Sequence, residues 1–315
     1  EKIRASDQVD DSFLRASYPV DTQERLSRIV MDSLGYDTER GRLDRSVHPF
    51  TTTLGSHDVR ITTRFDEYQP VTSLFSTIHE TGHALYELGV GEELHGTLLA
   101  EGTSLGIHES QSRMWENMIG RSRAFWSHWL QPMRELFTAQ LSSVDREAFY
   151  RAINRVEPSL IRVEADEVTY SLHIIMRFEL EQALIADELS IDDLPEAWNA
   201  KSEELLGIRP DTNAHGVLQD VHWSFGAFGY FPTYALGNLY AAQFLETMER
   251  ELPTMWDEIA SGDTTRVLDW LRGKIHRHGK VRSATELITG ITGKPLDPTF
   301  FLDYLNRKYS DIYSL

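Results

Sequence analysis

The chain has 315 residues, 41% of them hydrophobic, enough for one large domain with a substantial core. Its 31 basic against 49 acidic residues leave a formal charge of −18, which argues against nucleic acid or an anionic membrane as partner. Cysteine is absent, so disulfide and thiolate chemistry are excluded, a cytoplasmic setting fits, and any metal must be held by His and carboxylates. No apolar run approaches the ~18 residues of a membrane span, and no signal peptide opens the chain.

In chain order, Leu26, Ile29, Val30 and Leu34 recur at helical spacing between Val20 and Gly35, which predicts an amphipathic helix stopped by the glycine. His48 to Thr53 and Asp58 to Phe65 are β-branched runs separated by a turn at 54–57, and they predict a hairpin. A helix then covers Ser73 to Gly89, capped by Thr72 or Ser73, with Leu74, Phe75, Ile78 and Leu85 as its apolar stripe. Further helices are expected over Leu98–Met118, Ser122–Leu141, Asp145–Val156, Leu160–Leu189, Leu194–Leu206, Pro232–Arg250, Thr264–Arg277, Ala284–Leu287 and Pro298–Lys308. The pattern is mainly α, with one small sheet, and no linker divides residues 1–315 into separate domains. The loop-rich break at Ile208–Phe231 is dense in His, Trp, Phe, Tyr and Gly and reads as a site segment.

Within the Ser73–Gly89 helix, His79 and His83 are four apart, so both imidazoles leave one face and can reach a single small cation. Glu80 lies about 100° round the helix, placed to touch a water without being a ligand. This is an H-E-x-x-H arrangement; the bland alternative is a helix bearing two surface histidines. A catalytic zinc takes a third protein ligand. Glu101, His108, Glu109 and Glu116 are the candidates, and spacing does not choose among them.

Six motifs, HPF, DVRIT, HETGH, IHESQSR, IRVEAD and GVLQDVHW, occur in this order between His48 and Leu239. Together they resemble the motif set of the carboxypeptidase Taq family of zinc metallocarboxypeptidases. The resemblance implies a mainly helical, grooved fold like neurolysin and angiotensin-converting enzyme, with a hairpin or three-stranded sheet beside the metal helix. It implies zinc, with cobalt as a possible substitute, held by His79, His83 and Glu109. It implies Glu80 as general base, His222 and Tyr234 as oxyanion donors with Tyr230 in reserve, peptide substrates and a homodimer. Only 47 residues precede HPF and no Met opens the chain, so a piece lacking the family's amino-terminal helical region is expected.

A carboxypeptidase must hold a free carboxylate, which a fork-shaped guanidinium does well. Arg162 in IRVEAD is the first choice and Arg60 in DVRIT the second. An intrahelical Arg162–Asp166 pair and a strand-face charge are the respective alternatives. Ile61 to Thr63 could present a strand edge to peptide backbone. Competing readings are an internally cutting oligopeptidase, which needs no carboxylate clamp, and a non-catalytic peptide-binding subunit.

Overall fold

A computed structural model describes residues 2–315. They form two compact units, one running up to Ile153 and resuming over Gly237–Leu315, the other spanning Asn154–Leu236.

The first unit opens with α1 (Lys2–Ala5) and α2 (Val20–Ser33), followed by strands β1 (Leu43–Arg45), β2 (Phe50–Gly55) and β3 (Asp58–Thr63). Next come α3 (Pro70–Leu88), α4 (Leu105–Arg113), α5 (Arg123–Leu136), α6 (Thr138–Leu141) and α7 (Arg146–Ile153). In the second unit lie α8 (Tyr170–Ile185) and α9 (Leu194–Leu206), and α10 (Pro232–Glu251) begins there and ends in the first. α11 (Met255–Ala260), α12 (Thr265–Lys274), α13 (Ala284–Thr292) and α14 (Thr299–Tyr313) complete the first unit. No helix among the described residues is long and apolar enough to cross a membrane.

Helix α3 is the axis of the first unit, packed by α2, α4 and the sheet. Its Leu74, Phe75, Ile78 and Leu85 are each at most 2% exposed, and burying such a side chain stabilises by about 1.5–3 kcal/mol. Ser73, Thr77 and Thr81, four apart, form a small buried face. The two threonine hydroxyls are satisfied within the helix, Thr77 Oγ1 donating to Ser73 O at 2.9 Å and Thr81 Oγ1 to Thr77 O at 2.7 Å. Gly82 permits the closest approach of α4, since a Cβ there would lie 2.7 Å from the Ser112 Cα. The cap differs from expectation: α3 starts three residues earlier, with Pro70 in its first turn after Gln69. Proline's missing N–H costs nothing there, and the Ser73 hydroxyl instead reaches Gln23 Oε1 at 2.7 Å.

The predicted hairpin is β2 against β3, and β1 adds a parallel strand on the far side of β3. β3 is therefore central, so Ile61–Thr63 has both edges paired and offers none to a peptide; β2 is an edge strand instead. Three further expectations are corrected. Ile29 is 44% exposed rather than part of the α2 core face. Residues 98–104 are irregular, and α4 begins only where the Ser104 side chain accepts from Ile107 N at 3.1 Å. The helix expected from Leu160 starts at Tyr170. Asp166 accepts from the backbone N–H of Val168 and Thr169, both at 2.9 Å, and this side-chain turn competes with a helix upstream. The Arg162–Asp166 intrahelical pair therefore does not form.

Candidate metal centre

Helices α3 and α4 bring His79, His83 and Glu109 together, one nitrogen or oxygen from each lying within 4.8 Å of the others. The two rings stand 4.8 Å apart at 84°. Glu109 Oε2 is 3.8 Å from His79 Nε2 and 3.5 Å from His83 Nε2. Tetrahedral coordination with bonds of about 2.0–2.1 Å requires ligand atoms about 3.3–3.5 Å apart, a spacing that the Glu109 oxygen nearly has from both rings, so the donor set can close on a small divalent ion. The unused nitrogens strengthen the fit. His79 Nδ1 is 2.8 Å from Glu116 Oε2 and His83 Nδ1 is 2.6 Å from His108 Nδ1, which leaves each Nε2 turned to Glu109.

Glu109 is 5% exposed and braced by Arg113, whose Nε donates to Oε1 at 2.7 Å. Burial alone would raise its carboxyl, but Arg113 and the two imidazoles hold it far below the usual range. Burial likewise opposes ionisation of Glu116, yet Arg113, His79 and Arg121 bring it down to about 2. His83 is pushed down by burial and by its neighbours His108 and His79, although Glu109 opposes this, which favours the neutral ring a metal needs. Burial pushes His79 the same way, but Glu109 and Glu116 outweigh it and raise it overall. A Cβ on Gly237 would lie 2.4 Å from Glu109 Cγ, so only glycine leaves that carboxylate its place.

Of the four candidates for the third ligand position, Glu109 alone faces both rings. Glu101 is exposed and paired with Lys280. His108 and Glu116 are not solvated bystanders: each grips one of the two histidines from behind. Glu116 sits on a π-helical turn, Met114–Ile119, that continues α4, with Arg121 Nη2 3.6 Å away. Glu80, 7% exposed, meets strand β2, where Thr51 Oγ1 lies 2.6 Å from its Oε2. Arg60 is exposed and forks onto Asp58 at 2.7–2.8 Å.

The second unit gathers a different set. Arg162, on a single 3-10 turn, is 7% exposed and donates from Nε to Asp220 Oδ1 at 3.0 Å and from Nη1 to Tyr170 at 3.1 Å. Its guanidinium lies 4.7 Å from the centre of the Tyr234 ring. Fully buried Arg177 takes the other Asp220 oxygen, so two guanidiniums share one carboxylate. Burial lowers Arg177 to about 10. For Asp220 burial works upward, but both arginines hold the carboxyl below its ordinary value. His222 Nε2 is 3.1 Å from the Tyr234 hydroxyl, and Tyr230 packs 5.4 Å from both rings. Sequence reasoning missed Arg177, which a helical pattern hides, and Glu181 on α8. Glu181 accepts from Trp223 Nε1 at 2.8 Å and from Gly229 N at 2.5 Å, pinning the aromatic segment at two points.

The family model for carboxypeptidase Taq (M32) metallopeptidase matches residues 1–309. Carboxypeptidase 1 of Bacillus subtilis is 48% identical over 97% of this chain and 61% of its own length. Thermostable carboxypeptidase 1 of Thermus thermophilus is 50% identical over 96% of this chain and 59% of its own. The crystal structure of an M32 carboxypeptidase from Deinococcus radiodurans R1 superimposes with a TM-score of 0.98 at 45% identity, covering 100% of this chain and 63% of that one. The chain thus spans about three fifths of the relatives it matches. With a match along nearly its whole length and a His–His–carboxylate group where the H-E-x-x-H spacing calls for one, it belongs to the carboxypeptidase Taq (M32) family of metallopeptidases.

Proposed function

We propose that this chain carries metallocarboxypeptidase activity, removing single residues of broad identity from the carboxyl ends of peptides. The observation that carries the reading is the donor set of His79, His83 and Glu109, with both Nδ1 atoms engaged from behind. Zinc is the ion we assign, with cobalt an acceptable substitute, since imidazole and carboxylate ligands in a four-coordinate set suit it. When bound, such an ion supplies Lewis acidity, polarising a carbonyl and acidifying water.

Glu80 takes the proton from the attacking water and returns it to the departing amine; Thr51 fixes the carboxylate from the β2 side. His222 and Tyr234 are assigned hydrogen-bond donation to the developing oxyanion, with Tyr230 as a substrate-side neighbour. Arg162 is assigned the substrate carboxylate; its burial and an orientation set by Asp220 and Tyr170 support this. Arg60 is the weaker choice. A homodimer and a cytoplasmic setting complete the proposal; they rest on the resemblance and the cysteine-free composition.

The test is metal analysis of the purified chain alongside hydrolysis of a short N-blocked dipeptide, as free acid and as amide, before and after chelation. Free-acid cleavage that chelation abolishes and zinc restores supports the reading, and Arg162→Lys should erode the preference for the free acid. Equal cleavage of the amide would make the protein an oligopeptidase. Metal binding without turnover would make it a peptide-binding subunit.

A further inference from the structure

The two histidines of the cradle are held in chemically different ways. His79 is gripped directly by a carboxylate, Glu116, itself braced by Arg113 and Arg121. His83 meets another ring: its Nδ1 is 2.6 Å from His108 Nδ1, and His108 Nε2 is 2.7 Å from Glu87 Oε1. Glu87 follows His83 by four residues on α3, while His108 immediately precedes Glu109 on α4.

Proton placement along this chain follows from what each atom can do. A carboxylate only accepts, so His108 presents Nε2–H to Glu87 and turns its Nδ1 to His83. A neutral His83 that gives its Nε2 lone pair to an ion carries its proton on Nδ1, where His108 Nδ1 is the atom it meets, and His83 Nε2 faces Glu109 Oε2 at 3.5 Å. Packing supports a built arrangement. A Cβ on Gly102 would lie 2.8 Å from His108 Cδ2 and 2.9 Å from the Tyr86 ring, so the loop passes over His108 only as glycine. Gly102 N also donates to the Glu87 oxygen that holds His108, at 3.3 Å, and Thr103 N donates to the Tyr86 hydroxyl at 3.0 Å.

We propose that His108 is a positioning residue for the metal centre: anchored by Glu87, it fixes the tautomer and orientation in which His83 offers Nε2 to the ion. This rests on the cradle reading above.

The experiment measures zinc affinity of the full chain by competition with a chromophoric chelator, and the visible absorption of the cobalt-loaded protein. It compares wild type with His108→Ala, His108→Asn and Glu87→Gln, and follows the melting temperature of each metal-free form. We expect His108→Ala to weaken zinc binding about 10–100-fold and to shift the cobalt bands. His108→Asn, whose Oδ1 can accept from His83 Nδ1, should recover most of the affinity, and Glu87→Gln should fall between. A merely structural His108 lowers the melting temperature but leaves affinity and cobalt bands alone. Should His108→Ala fail to fold, a Glu87→Gln variant with zinc affinity and cobalt bands equal to wild type overturns the proposal. Wild type that binds no zinc sinks the cradle itself; wild type that binds it, with variants equal to it, sinks the relay alone.

Discussion

The two compact units arrange their buried charge differently. Around His79 and His83 stand the carboxylates of Glu87, Glu109 and Glu116 with the guanidiniums of Arg113 and Arg121. Around Asp220 two guanidiniums share one carboxylate. Buried charge is expensive unless it is paired, so each arrangement is held by named partners. The first region offers two imidazoles and a carboxylate to a cation, and in the second two guanidiniums meet on one carboxylate.

The sharpest way to break this pairing is to remove the base and leave the cradle. Glu80→Gln keeps a group for Thr51 but cannot take a proton. Turnover should fall about 10²–10⁴-fold, roughly 3–5 kcal/mol of barrier, with zinc content unchanged. Full turnover in that variant would strip the first region of its catalytic role. The corresponding blow to the second region is Asp220→Asn, which leaves Arg162 and Arg177 buried without a counter-charge. A loss of about 3–5 kcal/mol is expected in urea unfolding. Loss of under about 1 kcal/mol would mean that the two arginines are neutralised by other groups.

Acid should weaken both regions rather than separate them. His173 in the second unit and His276 in the first each have a pKa lowered to about 3, chiefly by burial. A depressed imidazole is neutral when folded and protonated when unfolded, so stability falls as pH drops below about 6.5 and keeps falling to about 3. Each contributes about 1.4 kcal/mol per pH unit, or about 2 kcal/mol between pH 6.5 and 5. Denaturant midpoints of the metal-free chain at those two values check it. His276→Gln and His173→Gln should each flatten the dependence by a similar share.

Legibility in the sequence divides along the same line. Two histidines four apart point to one face of α3 whatever surrounds them, because helix geometry alone sets that, so His79 and His83 could be read directly. Glu109 could not be, since the register of α4 against α3 depends on Gly82 and on a start at Ser104 that the apolar pattern of 98–104 disguises. The partners behind the rings, Glu116 and His108, came from tertiary packing and a π-turn, neither of which has a period. In the second unit, IRVEAD has helical spacing, yet the Asp166 side chain satisfies two backbone N–H groups and a turn results. Strand β1 is three residues long, and its pairing with β3 is parallel and non-local. No alternation announces it.

The smallest effect separates the two arginines that sequence reasoning left in competition. Arg60 is exposed, and its fork already closes on Asp58 two residues earlier at 2.7–2.8 Å. A carboxylate arriving there would have to displace both Asp58 and water, and in a high-dielectric setting the exchange yields little. Arg162 is buried, its orientation is set by Asp220 and Tyr170, and its counter-ion is shared. Arg60→Ala should therefore leave KM for the free-acid dipeptide, and the ratio of free-acid to amide cleavage, within about twofold of wild type. A tenfold rise in KM for the free acid alone would move the carboxylate clamp to strand β3.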